Sequence, residues 1–159
     1  MSNDDQLSLI IRSLSLTDNS LEHLITKQDE LTLALDLAEN YGLMITHNND
    51  LYSLENNLKI LDKTIIYKHL ELLNSEYDIE LSIKDFVNTT TEEFNPKEIK
   101  SNELKISIAE FQKQGRGRQN RKWFSLFGAG ISCSIFKHLP KNTNPIGLSL
   151  YRGISIIDA

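Results

Sequence analysis

A short basic stretch in the C-terminal third of the chain holds the residues best suited to chemistry. Five cations lie within it: Lys113, Arg116, Arg118, Arg121 and Lys122. Two of the arginines alternate with Gly115 and Gly117. Glycine can turn left-handed and let backbone N–H groups approach an anion, and arginine binds phosphate or carboxylate through paired hydrogen bonds. The stretch therefore predicts a mobile loop that closes on an anionic ligand, with Trp123 and Phe124 placed to cover a planar ring.

The same composition also fits a less specific role. A short run of arginine, lysine and glycine is often a flexible basic patch that contacts nucleic acid or nothing at all. The charge distribution nevertheless concentrates anion binding in one place. Residues 1–110 carry 21 acids and 9 bases, whereas residues 111–159 carry 8 bases and one acid, within a net charge of −5. The C-terminal third is therefore the part that attracts anions, and the rest repels polyanions.

Length and composition limit the class of protein. A chain of 159 residues suffices for one ordinary domain or two small ones, and 40% hydrophobic with 25% charged residues is typical of soluble globular proteins. The sequence has no apolar run long enough to span a bilayer and no basic start of a secretory signal. The single cysteine, Cys133, lies in an apolar alternation, which predicts a core thiol in a reducing cytoplasm. The four histidines lack partners at metal spacing, so no metal site is expected.

The N-terminal part reads as helices followed by a hairpin. The apolar spacing predicts helices over residues 5–16, 21–25 and 27–41, then a hairpin over residues 43–54. Thr26 suits the N-cap of the third helix, and Gly42 suits the position just past its end. Helices followed by a small hairpin predict a winged helix-turn-helix over residues 1–56.

The charges on the third helix argue against DNA binding by this domain. A helix that reads DNA presents Arg, Lys, Asn or Gln to base edges and phosphates. This helix instead carries the acids Asp29, Glu30, Asp36 and Glu39, with Lys27 as its only base. Acids in that position face a polyanionic backbone whose attraction supplies most non-specific affinity. We therefore favour a folding or docking module over a DNA reader.

The remaining sequence predicts strands that lead into the basic loop. Residues 57–76 form a linker and a helix that begins after Asp62, and the second domain covers residues 77–159. Alternating apolar residues predict strands over 79–83, 104–108 and 130–139, and Asn144 with Pro145 begins a final helix. Thr89, Thr90 and Thr91 follow the first of these strands. They could bind a polar ligand through their hydroxyls or simply start a helix.

Several separated blocks resemble one family. Gln112 through Trp123, followed by Ser125, Phe127, Gly128 and Ala129, resembles the signature of the biotin–protein ligases, especially the bifunctional biotin-operon-repressor type. The run 146–150 is similar to the next helix of that family, and residues 89–91 stand where the family has a hydroxyl-rich turn. The resemblance implies an α+β fold, in which a winged helix-turn-helix precedes the first half of a ligase-like mixed α/β catalytic domain.

The resemblance also implies an activity and its site. Family members use ATP to activate biotin as biotinyl-5′-adenylate, then transfer biotin to a lysine of a biotin carboxyl carrier protein. Biotin and ATP are the substrates, and Mg²⁺ is expected to accompany ATP. By resemblance, the catalytic residues are Arg116 and Arg118. The biotin-binding residues are Thr89, Thr90, Thr91, Gln112, Arg116, Gly117 and Arg118. The adenylate-binding residues are Gly115, Arg121 and Trp123.

Departures from the family pattern lead to an alternative. Asn120 stands where the family loop often has a third glycine. The sequence ends before the family's Lys-Trp-Pro-Asn-Asp segment, whose lysine contacts the reacting carboxylate and phosphate, so we expect a truncated chain. Half a sheet leaves an open edge, which predicts a homodimer or a complementing chain. The alternative is thus a catalytically impaired homologue that serves as a non-catalytic regulator or interaction module.

Overall fold

A computed structural model describes residues 2–16, 28–49, 51–54, 58–72, 76–117, 119 and 121–144. In chain order these residues form helices α1 (Asn3–Leu16) and α2 (Gln28–Asn40), strands β1 (Ile45–Asn48) and β2 (Leu51–Leu54), helix α3 (Lys63–Leu72), and strands β3 (Asp78–Val87), β4 (Glu103–Gln112) and β5 (Ser132–Lys137). The mixed α+β content predicted from the sequence is confirmed. The expected helix over 21–25, the cap at Thr26, the predicted domain boundary at 55–57 and the final helix lie outside the described residues.

Local signals account for the ends of the helices. At the start of α1, the Ser2 amide donates to an Asp5 carboxylate oxygen at 2.9 Å, while the Asp5 amide donates to the Ser2 hydroxyl at 3.2 Å. This reciprocal pair is a capping box. Past the end of α2, Gly42 adopts a left-handed φ of 79°, and the Leu43 amide donates to the Ala38 carbonyl at 2.9 Å. The predicted glycine stop is therefore confirmed.

The strands form two separate sheets. β1 and β2 pair antiparallel as the predicted hairpin, with Asn49 in the turn at a φ of 49°. The larger sheet has the order β3-β4-β5, in which β3 and β4 are parallel and β4 and β5 are antiparallel. The β3–β4 connection contains two short 3-10 turns, Thr90–Glu92 and Pro96–Glu98. This connection returns the chain so that β3 and β4 end side by side, next to the basic loop.

Two apolar clusters hold these elements together. The first joins α1, α2 and β2 through five buried side chains: Ile10, Leu14, Leu31, Ala34 and Tyr52. The second is built on Leu7 and Ile11 of α1, and Phe86 of β3 and Phe111 of β4 pack against it. The Tyr41 ring lies 4.4 Å from the Phe111 ring and 5.3 Å from the Phe86 ring. The N-terminal helices and the larger sheet thus share one core, which fixes β4 just before the loop begins.

Polar contacts reinforce this junction. Arg12 of α1 donates two hydrogen bonds to Asp85 of β3, at 2.8 and 2.5 Å, and the Ser8 hydroxyl donates a third. Glu110 of β4 is also buried and accepts from the Leu61 amide at 2.5 Å. Burial raises the pKa of Glu110 above its ordinary value, and the Asp85 charge adds to the rise. The junction therefore contains two buried carboxyl groups on neighbouring strands, one paired with a cation and one bound by an amide.

One prediction about β5 is wrong. Cys133 is exposed, not a core thiol, and its neighbours Ile131 and Ile135 are 76% and 48% exposed. The opposite side of the strand faces the protein, with Ser132 buried and Ser134 hydrogen-bonded to Thr90. The apolar side of β5 is thus open to solvent. Within the described ranges, no helix combines the length and apolar character needed to cross a bilayer.

Candidate functional site

The basic loop is defined here as residues 113–123, and its described residues (113–117, 119 and 121–123) form the two sides of a narrow hairpin. The Lys113 and Gln114 amides extend the pairing of β4 with β3 by donating to the carbonyls of residues 87 and 88, at 2.9 and 2.8 Å. The chain then reverses. The Trp123 amide donates to the Gly115 carbonyl at 2.8 Å, and the Gly117 amide donates to the Arg121 carbonyl at 2.7 Å. The basic loop is therefore a hairpin held by backbone hydrogen bonds, and it extends from the ends of two parallel strands. It is called the flap below.

The backbone conformation of the two glycines in the flap, Gly115 and Gly117, differs from the one predicted. Neither Gly115 nor Gly117 has a left-handed φ, whereas Gln119 does, at 60°, among the residues of the flap that the structure describes. A Cβ on Gly115 would lie 3.0 Å from the Trp123 carbonyl oxygen, whereas a Cβ on Gly117 would meet nothing closer than 3.6 Å. Gly115 is needed because the returning strand passes so close. The amide of Gly117 is already used within the hairpin.

A cavity of about 590 Å³ opens against this flap, lined by residues 111–116 and 121–125. Its lining includes four of the five predicted cations: Lys113, Arg116, Arg121 and Lys122. Arg121 donates to the Gln119 side chain at 3.1 Å, and Lys113 donates to Asp4 at 2.5 Å. In the described part of the chain, no side chain hydrogen-bonds or pairs with the exposed guanidinium of Arg116. The cavity thus presents a concentrated and partly unpaired positive charge, which suits an anionic ligand.

The aromatic pair stands at the mouth of the cavity. Trp123 is 59% exposed and Phe124 is 87% exposed, and both contribute to the lining. Exposed aromatic side chains beside a cationic cavity can stack on a planar ring. The role of Trp123 over an adenine stays a prediction.

The threonine turn and Gln112 form one hydrogen-bonded group beside the cavity. The Thr90 amide and hydroxyl both donate to the Gln112 side-chain oxygen, at 2.9 and 3.2 Å, and the Thr90 hydroxyl lies 2.7 Å from the Ser134 hydroxyl. Thr89 caps the 3-10 turn by accepting from the Thr91 amide at 3.4 Å. Thr89 and Thr90 are buried and Thr91 is exposed. The structure therefore brings together Gln112 and Thr90, which lie 22 positions apart and which the resemblance assigns separately to the biotin site.

The sequence analysis missed two serines in this region. Ser134 of β5 touches Thr90, and Ser107 of β4 stands opposite Ser134 in the strand register. Ser107 is 1% exposed, and its hydroxyl has no hydrogen-bond partner among the described residues. The signal that could have found Ser134 is the alternation of serine with apolar residues along β5, and the signal for Ser107 is its position between Ile106 and Ile108 on β4. We had assigned the apolar side of that alternation to the core.

The described residues supply no evident metal centre. Within the described ranges, no group of three or more His, Cys, Asp or Glu side chains could hold a metal ion. The cavity lining is cationic, so it does not fit a directly bound divalent cation. Arg118, expected to act with Arg116, lies outside the described residues, as does Asn120.

Comparison with known proteins agrees with the resemblance. The chain is 33% identical over 106 residues to the bifunctional ligase/repressor BirA of Salmonella typhimurium, covering 65% of this chain and 31% of that protein. It is 54% identical over 48 residues to the bifunctional ligase/repressor BirA of Escherichia coli, covering 30% of this chain and 15% of that protein. No family model matches the chain. The chain thus spans about a third of the length of the first of these relatives.

These similarities confirm the recognition made from the loop and turn residues, although they extend over only part of each relative. The chain is therefore similar, over part of its length, to bifunctional ligase/repressor proteins.

Proposed function

We propose that this chain carries the biotin- and adenylate-binding half of a biotin–protein ligase site. The observation that carries the proposal is the junction of two features at the ends of β3 and β4. One is the cation-lined cavity under the flap, and the other is the Thr90–Gln112–Ser134 group beside it. Biotinyl-5′-adenylate has a neutral ureido ring, which needs polar hydrogen-bond partners, and a phosphate, which needs cations. The two features would supply these partners side by side.

The reaction proposed for this site is the activation of biotin. A carboxylate oxygen of biotin forms a bond to the α-phosphorus of ATP, and the bond from that phosphorus to the pyrophosphate oxygen breaks. The products are biotinyl-5′-adenylate and pyrophosphate. Negative charge gathers on the phosphate oxygens during this exchange, and positioned cations stabilise it. Arg116 is exposed on the cavity wall and is proposed, with Arg118, to supply that charge.

The biotin end of the ligand is assigned to the threonine turn. The ureido ring of biotin offers two N–H donors and one carbonyl acceptor. Because the Gln112 side-chain oxygen already accepts from Thr90, its amide nitrogen is the group left to donate to a ureido carbonyl. The hydroxyls of Thr89, Thr90 and Thr91 and the backbone near Gly117 complete the proposed contacts.

The adenylate end is assigned to the outer part of the flap. Gly115 allows the two sides of the hairpin to approach, Arg121 adds charge, and Trp123 covers the adenine. Closing such a flap would keep water from the mixed anhydride, which water hydrolyses. Mg²⁺ is proposed to enter only as a complex with the ATP phosphates, since the cavity wall itself does not fit the ion.

The later steps and the partners are further proposals. Transfer of biotin would go to a lysine of a biotin carboxyl carrier protein in the cytoplasm. We propose the division into a winged helix-turn-helix over 1–56, a linker and helix over 57–76, and a partial catalytic domain over 77–159. Asp36 and Glu39 on α2 are exposed, which supports a docking role over DNA binding.

The test is an adenylation assay on the full chain. The protein is incubated with biotin, MgATP and a carrier domain, and both pyrophosphate release and biotin on the carrier are measured. Biotin-dependent pyrophosphate release that Arg116→Met reduces at least tenfold supports activation at this site. Binding of biotin and ATP without pyrophosphate release would restrict the function to ligand binding. Failure to bind either compound would contradict the proposal.

The exposed apolar side of β5 favours a second candidate, an interaction module. Ile131, Ile135 and Leu139 are all exposed on or next to this edge strand, and exposed apolar strands tend to acquire partners. A homodimer or a complementing chain could cover them. Light scattering at several protein concentrations tests this: a mass that rises with concentration supports association, whereas a constant monomer mass contradicts self-association.

A further inference from the structure

Lys113 lines the cavity and also contacts the N-terminal helix α1. It lies at the root of the flap and contributes to the cavity lining. Its ammonium group donates to an Asp4 carboxylate oxygen at 2.5 Å, and the Lys113 and Asp4 side chains are 34% and 27% exposed. These two residues are 109 positions apart. A cation of the proposed phosphate site is therefore occupied by a carboxylate from a distant element.

Asp4 is the fixed partner of this pair. It lies in the first turn of α1, whose residues Leu7 and Ile11 are fully buried in the core shared with the sheet. The Tyr41 hydroxyl also donates to its other carboxylate oxygen, at 3.5 Å. Lysine has a flexible four-carbon stem and three rotatable donors, so Lys113 can turn toward the cavity while Asp4 stays in place.

We propose that Lys113 is a further phosphate-binding residue of this site, and that Asp4 competes with the ligand for its ammonium group. The inference rests on the proposed function only in taking the cavity as a phosphate site. When a pyrophosphate group enters, Lys113 leaves the single charge of Asp4 for the higher charge of the phosphate oxygens, which attract it more strongly. Asp4 thereby acts as a positioning residue, because it determines how readily the ammonium group of Lys113 is available to the ligand.

The geometry separates this role from a general effect of charge. Asp5 is the next residue on the same helix, but it caps α1 through Ser2. Removing either acid takes one negative charge from the same surface. Only removal of Asp4 frees the ammonium group of Lys113. Asp5→Asn is therefore a matched control for Asp4→Asn.

The experiment is calorimetric titration of inorganic pyrophosphate into the full chain at low salt. We expect Asp4→Asn to tighten binding about threefold, because an exposed ion pair of modest strength no longer competes. Lys113→Met should weaken binding about tenfold, because one charge-assisted hydrogen bond is lost. In the Lys113→Met background, Asp4→Asn should have no more effect than Asp5→Asn. Higher salt should shrink all of these differences.

Three results would overturn the inference. One is equal tightening by Asp4→Asn and Asp5→Asn, and another is an undiminished effect of Asp4→Asn in the Lys113→Met background. The third is unchanged pyrophosphate affinity in Lys113→Met, a variant whose side chain leaves the core untouched and which tests the idea even if Asp4→Asn folds poorly. If the chain forms the adenylate and Lys113→Met changes neither this reaction nor pyrophosphate affinity, only this inference is contradicted. The expected pyrophosphate results without adenylate formation would contradict only the proposed function.

Discussion

Two arginines, Arg12 on α1 and Arg116 on the flap, show how this chain uses positive charge in two different ways. Arg12 holds Asp85 with two hydrogen bonds, and the Asp85 side chain is 4% exposed. Arg116 extends from the flap, and no side chain of the described residues pairs with it. Arg12 therefore serves the junction between α1 and the sheet, whereas the charge of Arg116 remains available to a ligand.

The difference teaches which basic residues to assign to function. A cation that compensates a buried carboxylate is part of the folding energy, because removing it leaves an uncompensated charge. A cation that is exposed beside a cavity costs little to the fold and gains its partner only when an anion binds. Lys113 stands between these cases, since it lines the cavity and is paired with Asp4.

The largest expected effect is on the free energy of unfolding, in which variants of the two arginines should differ. Arg12→Met should lower the free energy of unfolding by about 2 kcal/mol, a figure discounted for the half-exposed guanidinium. Arg116→Met should change it by less than about 0.5 kcal/mol, as is usual for exposed positions. Urea denaturation at pH 7 measures both. Equal losses in the two variants would mean that the two arginines do not have separate roles.

The second prediction concerns the shape of the flap. In Gly115→Ala the added Cβ would press on the Trp123 carbonyl, 3.0 Å away. Overpacking of this kind should open the hairpin and weaken adenylate binding about tenfold. Gly117→Ala is the control, since its Cβ would meet only ordinary contacts. Titration of biotinyl-5′-adenylate compares them, and a greater loss from Gly117→Ala would show that ligand approach, not hairpin packing, limits the site.

The smallest expected effect is on how the stability of the fold depends on pH, through Glu110 at the junction of α1 and the larger sheet. Burial raises the pKa of Glu110, so the folded chain binds this proton more tightly than the unfolded chain. The associated stability is complete below the ordinary value of 4.5 and is lost as pH rises through the raised pKa. Glu110→Gln keeps an acceptor for the Leu61 amide and removes this charge. Its stability should therefore fall less than that of the wild type as pH rises above 4.5.

Glu103→Gln is the control of opposite sign for this measurement. Hydrogen bonds from Lys100 lower the pKa of Glu103, so its contribution is present above 4.5 and is lost as pH falls through the lowered pKa. The substitution should thus remove stability at neutral pH. Thermal unfolding across pH 2.5 to 7 measures both variants, because the pH window of Glu103 lies below 4.5. Parallel profiles for Glu110→Gln and the wild type would show that Glu110 is not a buried titrating group.

Local patterns predicted the parts of the fold that depend on neighbouring residues. The hairpin around Asn49, the stop at Gly42, the helix start at Asp62 and the strands that became β3 and β4 were all expected. Each follows from periodicity or from the conformational preference of one residue. The contact between Gln112 and Thr90 was not predicted, because it depends on two parallel strands that end side by side.

Contacts between distant elements could not be predicted in this way. The alternation in β5 shows two faces but not which one is buried, and the hydroxyl of Thr90 selects the serine face. Gln119 of the flap is left-handed and its described glycines are not, although glycine tolerates that conformation best. The pairs Asp4–Lys113 and Arg12–Asp85 join α1 to the sheet across long separations. Such contacts depend on how the elements pack, which spacing along the chain does not record.

We propose above all that the flap forms a site for an acyl-adenylate with Arg116, which no side chain in the described part of the chain pairs with. Calorimetric titration of biotinyl-5′-adenylate into the full chain and into Arg116→Met tests it most directly. We predict saturable binding to the wild type and at least a tenfold loss in Arg116→Met, with unchanged stability to urea. Equal affinity for both chains, or no binding to the wild type, would contradict the account.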